Sequence, residues 1–149
     1  MRFIAHFERV NPKITNMNKR SWFIPLLIVA ANVLAISVRW SSMPEILPAH
    51  YDLQGNADGA MPRSVLLLYV LIGAVVCLIA YTIGRMKPKL QNGLVVLASG
   101  ICLVLFLSTM VTLTSGTMPI FMLAEPVVLL TAVIGAVICV AKSYKQKPQ

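Results

Sequence analysis

The side chains able to do chemistry fall into two groups. The first lies in a polar stretch, residues 41–63, which reads SSMPEILPAHYDLQGNADGAMPR and holds His50, Glu45, Asp52 and Asp58. His50 is the residue there whose charge changes near neutral pH. It could ligate a metal with Asp52 or Asp58, donate to an incoming peptide, or fix the shape of the stretch by bonding a carbonyl. Metal binding is disfavoured, because a lone imidazole among scattered carboxylates lacks the spacing of converging ligands. A calcium loop begun at Asp52 fails outright: Ala57 stands where the turn glycine belongs, and Arg63 where the bidentate glutamate belongs.

The second group sits inside or at the edge of apolar sequence: Asn32, Arg39, Ser108, Thr112, Ser115 and Glu125. Ionisable groups in such surroundings are costly and often functional. Glu125 has a plainer explanation, since Pro126 follows it and a carboxylate beside a proline suits the first turn of a helix. Ser108, Thr112 and Ser115 repeat at helical spacing and form a polar stripe suited to hydrogen bonding between helices. Cys77, Cys102 and Cys139 lie far apart in sequence, with no metal-ligand spacing, and read as small packing residues. Neither a nucleophile with an adjacent base, nor a phosphate-binding glycine loop, nor a zinc-protease motif can be assembled. An enzyme is therefore not expected, and neither a metal nor another cofactor is.

What must position these residues is a set of membrane helices. Hydrophobic residues make up 58% of the 149 and charged residues only 12%, whereas a soluble domain carries roughly 25% charged. Mean hydropathy is +0.79. Apolar runs of roughly 20 residues, the length that crosses a hydrocarbon core, are expected at about 22–40, 64–83, 93–113 and 120–141. Trp22 and Trp40 bracket the first run at a spacing of about 27 Å, which suits an aromatic belt. The fold expected is all-α: an up-down four-helix transmembrane bundle over residues 21–142. Residues 1–20 would be a basic cytoplasmic segment, 41–63 an extracytoplasmic loop and 143–149 a basic tail. Met17-Asn18-Lys19-Arg20 would also serve as a start just ahead of the first span. The pairs Ala31/Ala35, Gly73/Cys77, Ala132/Ala136 and Thr131/Gly135 offer small faces for helix packing.

Charge sets the expected orientation. The net charge is +8, and eleven of the thirteen Lys and Arg residues fall in the N-terminal segment, the turn at 84–92 and the tail. Arg39 and Arg63 are left on the other side. The excess of basic residues on cytoplasmic loops then puts both termini in the cytoplasm. Clustered at the ends of apolar runs, these cations suit a membrane surface, and nucleic acid is not an expected partner.

In the loop, Pro44 and Pro48 oppose a helix and favour extended backbone, while Gly55-Asn56 and Asp58-Gly59 are turn dipeptides. A shaped, mostly extended excursion is expected, and loops on a rigid scaffold commonly carry function. The order Met43-Pro44, Leu47-Pro48, His50-Tyr51, Gly55, Asp58 resembles the "LPxxIPxHFxxxGxxD" loop of a bacterial family, domain of unknown function 1648. That family supplies the N-terminal domain of SdpI-type toxin-immunity proteins. The likeness covers roughly residues 22–85, with Met43 for Leu, Leu47 for Ile and Tyr51 for Phe. Residues 93–149 carry no recognised signature of the further membrane domain of those proteins.

The resemblance implies a small bacterial inner-membrane protein that meets a peptide toxin or a membrane protein partner through Pro44, Ile46, Pro48, His50, Tyr51, Gly55 and Asp58. A homo-oligomer fits the same reading. The rival is an ion or solute transport or export accessory working between Glu125, Asn32 and the Ser108–Thr112 stripe. The Glu125 carboxylate should either protonate or find a cation, and Arg39 at the outer end of the first span is the partner expected; without that pairing the helix-start or transport reading returns.

Overall fold

The computed structural model describes residues 19–51, 56–114 and 119–145. The basic segment up to residue 18, Asp52, Gly55, Ser115 and the last four residues lie outside these, as do the side chains of His50 and Tyr51. The main elements are α1 (Phe23–Arg39), β1 (Ile46–Tyr51), β2 (Ala57–Pro62), α2 (Val65–Met86), α3 (Gln91–Leu113) and α4 (Pro119–Lys145). Four of the helical segments are long and apolar enough to cross a membrane, with mean hydropathy between 1.9 and 2.6. In hydrocarbon no water serves the peptide groups, so runs of this kind satisfy them internally as helix.

Buried positions show how the helices pack. On α1 they are Pro25, Asn32 and Ile36; on α2 they are Leu66, Gly73, Cys77, Ala80 and Gly84. Both sets follow a single helical stripe, and the large side chains on the other faces, such as Leu27, Leu34, Leu71 and Leu78, are exposed as lipid-facing residues are. The third span differs. Its buried residues, among them Gly93, Ala98, Gly100, Cys102, Thr109 and Val111, are spread around the helix. α3 is central: it packs against α1, α2 and α4, and α1 also meets α2. Among the described residues α1 and α4 share no substantial contact.

Helices consecutive in sequence run antiparallel, as the contacts along their three seams show, so α1 and α3 lie parallel. Between α1 and α2, Trp22 meets Tyr81 edge-to-face with centroids 5.4 Å apart, and Val29 lies against Gly73. Between α2 and α3, Gln91 lies against Gly84 and Cys102 against Gly73. Between α3 and α4, Gly93 meets Ala136 and Val140, and Gly100 meets Ala132. The turn from α2 to α3 is a single 3-10 turn, Pro88–Leu90. Pro88 pushes Lys87 out of helical geometry and so ends α2.

The α3–α4 seam is closed by absent side chains. A Cβ on Gly93 would fall 2.6 Å from Val140 Cγ2 and 2.9 Å from the Ala136 carbonyl oxygen. A Cβ on Gly100 would overlap that of Ala132. Ala132 is buried and Ala136 half-buried, and Gly73 and Cys77 are both buried. Ala31 and Thr131 are instead exposed, so those two residues do not serve as packing faces. Thr131 turns its hydroxyl back onto the Val127 and Val128 carbonyls of its own helix.

Two further expectations are corrected. α4 begins at Pro119, so Pro126 lies inside the helix and Glu125 is not at a helix start. Proline within a membrane helix is tolerated when surrounding packing holds the helix together. Asp58-Gly59 is not a turn but part of β2. Gly59 has φ of 97°, a left-handed value that glycine adopts without steric cost.

Candidate functional site

The loop after α1 is a β-hairpin seated on the bundle. β1 and β2 pair antiparallel, with Ile46 opposite Pro62, Leu47 opposite Met61, Pro48 opposite Ala60, His50 opposite Asp58 and Tyr51 opposite Ala57. Pro44 keeps the chain from continuing as helix, and Pro48 can sit in a strand because a two-stranded sheet leaves half of its N–H positions unpaired. Alternation then divides the hairpin into two faces. Leu47 and Met61 are buried downward in a cluster with Met43, Ile36 and Leu66, flanked by Trp40, Val65, Tyr69 and Leu113. Ile46, at 67% exposure, points away from this cluster, and Asp58, Ala60 and Pro62 are exposed as well.

Arg63 clasps the feet of the hairpin. Its Nη1 donates to the carbonyls of Trp40 at 3.4 Å and Met43 at 3.3 Å. Its guanidinium stands 4.9 Å from the centre of the Trp40 ring, close enough for cation–π attraction. Its backbone N–H donates to the Glu45 carbonyl at 2.9 Å. On the α1 side, Met43 N–H and Ser42 Oγ both donate to the Arg39 carbonyl at 3.0 Å. The incoming and outgoing chains are thereby stitched to the ends of α1 and α2.

The intramembrane residues are placed differently. Glu125 is half-buried, and its Oε1 accepts a hydrogen bond from Ser108 Oγ at 2.9 Å. Thr112 Oγ1 donates back to the Ser108 carbonyl of its own helix at 3.0 Å, so in this pair it is the Ser108 hydroxyl that reaches across the α3–α4 seam. Arg39 is exposed at the end of α1. The pairing of Arg39 with Glu125 is therefore not formed, because α3 stands between the helices that carry them. Asn32 is 3% exposed, and its Oδ1 has no hydrogen-bond partner among the described residues. It too lies on α1, away from Glu125.

Three features escaped the sequence reading. Arg63 passed for one of two stray cations on the sparse side; it lies 23 residues after Trp40 in sequence, and no local signal brings the two together. Gly93 and Gly100 stand seven apart and fall outside a search at four-residue spacing. Cys77 and Cys102 meet with sulfurs 3.6 Å apart, and Cys102 Sγ is 3.8 Å from the Gly73 carbonyl. No sequence spacing announces a contact between two helices. Among the described residues no three His, Cys, Asp or Glu side chains gather as metal ligands.

Helices of this length and apolarity around a capped end define a multi-pass membrane protein. A family model described as domain of unknown function (DUF1648) matches residues 26–74, from the first turn of α1 through the hairpin into α2. The match agrees with the resemblance of the loop motif, and the matched segment contains the hairpin, its clasp and most of the buried cluster beneath. No curated protein and no solved structure matches the chain.

Proposed function

We propose that this protein is a binding module of a bacterial cytoplasmic membrane, with both termini in the cytoplasm and the hairpin outside. Its hairpin receives a peptide or protein partner, in immunity or signalling of the SdpI type. The observation that supports this reading best is the division of the hairpin. One face is held by Leu47 and Met61, while the other presents Ile46, Asp58, Ala60 and Pro62 outward, with backbone positions 50 and 58 opposed. A preformed surface of this kind binds without first losing chain entropy.

The test is survival of cells, with and without this protein, challenged with a membrane-active peptide toxin. His50→Ala and Asp58→Asn should remove protection, and Glu125→Gln should keep it. A transport accessory, favoured by the Ser108–Glu125 hydrogen bond at the α3–α4 seam, predicts the reverse. Orientation is tested separately with single cysteines at Ser42 and Asn92, both exposed. An impermeant thiol reagent applied outside should label the first and spare the second. Equal labelling would refute the orientation.

A further inference from the structure

An apolar furrow runs along the α3–α4 seam at the end away from the hairpin. Its volume is about 360 Å³, with Leu90, Leu94 and Leu97 on one wall, Val137 and Val140 on the other, and Gly93 between them. The furrow exists because the backbones approach closely at Gly93 while the leucines and valines stand up on either side. An apolar channel on a lipid-facing surface suits an acyl chain. What sits at its mouth makes the occupant more specific.

Leu90 directly follows Lys89, and Ala141, also in the lining, directly precedes Lys142. Lys145 lies one turn further along α4. Lys89 Nζ stands 5.5 Å from the centre of the Tyr144 ring, which places the α2–α3 turn beside the end of α4. Lys87, Lys89, Lys142 and Lys145 are all exposed. The described carboxylates, Glu45, Asp58 and Glu125, belong to the hairpin or to the seam near Ser108, remote from this mouth. Phosphate would therefore meet cations with no described carboxylate competing.

We propose that this furrow is a binding site for an anionic phospholipid. One acyl chain lies along Gly93 between the leucine and valine walls, and the headgroup phosphate is received by Lys89, Lys142 and Lys145. Basic clefts between helices at a membrane surface favour anionic headgroups. Charge disfavours the other candidates: a two-fold related copy would set its own lysines against these, and a zwitterionic lipid would bring its cation among them. The proposal is independent of the hairpin and of its partner.

Native mass spectrometry on the intact protein, extracted from bilayers of equal phosphatidylglycerol and phosphatidylethanolamine, tests it. The expected result is one retained lipid, with the ratio of bound phosphatidylglycerol to bound phosphatidylethanolamine about tenfold that of the bilayer. Each Lys→Gln change at 89, 142 or 145 should lower that enrichment by about fivefold at most. Ala141→Phe, at an exposed position of the mouth, should reduce retention of both lipids with every cation in place. Retention that merely follows bilayer composition in the unmodified protein overturns the site, and this arm needs no variant to fold. Loss on lysine substitution without loss in Ala141→Phe also overturns it, since the attraction would then be surface charge and not a furrow.

Discussion

Along the α3–α4 seam the backbones approach through Gly93, Gly100 and Ala132. At the hairpin end the space between elements is filled by Leu47, Met61, Ile36 and Leu66. The difference follows from the solvent on the other side. Within lipid, separating two helices exposes apolar groups to an equally apolar medium, so large side chains add little, and close van der Waals approach does the holding. Where the chain emerges, water is available, and burying Leu47 and Met61 recovers the hydrophobic effect. Polar groups follow the same division. Arg63 shares its donors between two loop carbonyls, while Glu125 takes one hydroxyl from the helix it packs against.

If that contrast holds, the largest loss should come from filling the seam. Gly100→Leu should abolish the folded state in detergent, because its side chain would have to occupy the place of Ala132. Gly100→Ala should cost about 1–3 kcal/mol through overpacking, read as a fall in the thermal transition. Ala132→Gly in the same chain should restore most of the loss. A neutral Gly100→Ala would show that the seam is not closed by contact.

The next effect belongs to the hairpin. Leu47→Ala removes a buried side chain, 4% exposed, and should cost about 2–3 kcal/mol. Amides from Ile46 to Tyr51 should lose protection from hydrogen exchange while those of α3 keep theirs. Simultaneous loss in α3 would mean that the hairpin and the bundle are one cooperative unit.

Arg63→Gln should be smaller, about 1–2 kcal/mol, from the carbonyls of Trp40 and Met43 left short of a donor. Arg63→Lys should recover only part of this, since an ammonium lacks the planar face that lies over Trp40. Full recovery by lysine would reduce the clasp to a point charge.

The two regions were unequally legible in the sequence. Runs such as 64–83 fix a helix because lipid leaves the backbone no alternative, and the expected spans agree with the helices to within a few residues. The prolines at 44 and 48 correctly gave extended chain, but pairing is a non-local choice, and nothing local opposes Leu47 to Met61. Pro126 misled for the converse reason: its local signal is that of a helix start, and packing against α3 carries the helix past it. The Arg39–Glu125 pairing failed on a tertiary fact, the interposition of α3. Helix length is written in the run of residues; which helix stands in the middle is not.

The smallest effect should come from Asn32→Leu, and its sign is what informs. The residue lies on the single buried stripe of α1 with Pro25 and Ile36, and its Oδ1 has no described hydrogen-bond partner. An amide oxygen unpaired in apolar surroundings carries a penalty of about 1–3 kcal/mol. Leucine is close in size and has no polar atom to satisfy. Asn32→Leu should therefore be neutral or stabilising by up to about 1 kcal/mol, whereas Asn32→Asp should be strongly destabilising because it adds a charge at the same place. The measurement is the thermal transition of each variant in one detergent, beside Ser108→Ala as a variant that removes a donor already in use. A loss above about 1 kcal/mol in Asn32→Leu would mean that the amide is bonded in the working protein, and would move the weight of the functional argument from the hairpin to the bundle interior. A neutral result, with a measurable loss in Ser108→Ala, would leave Glu125 at the α3–α4 seam as the polar interaction on which the membrane part of the fold depends.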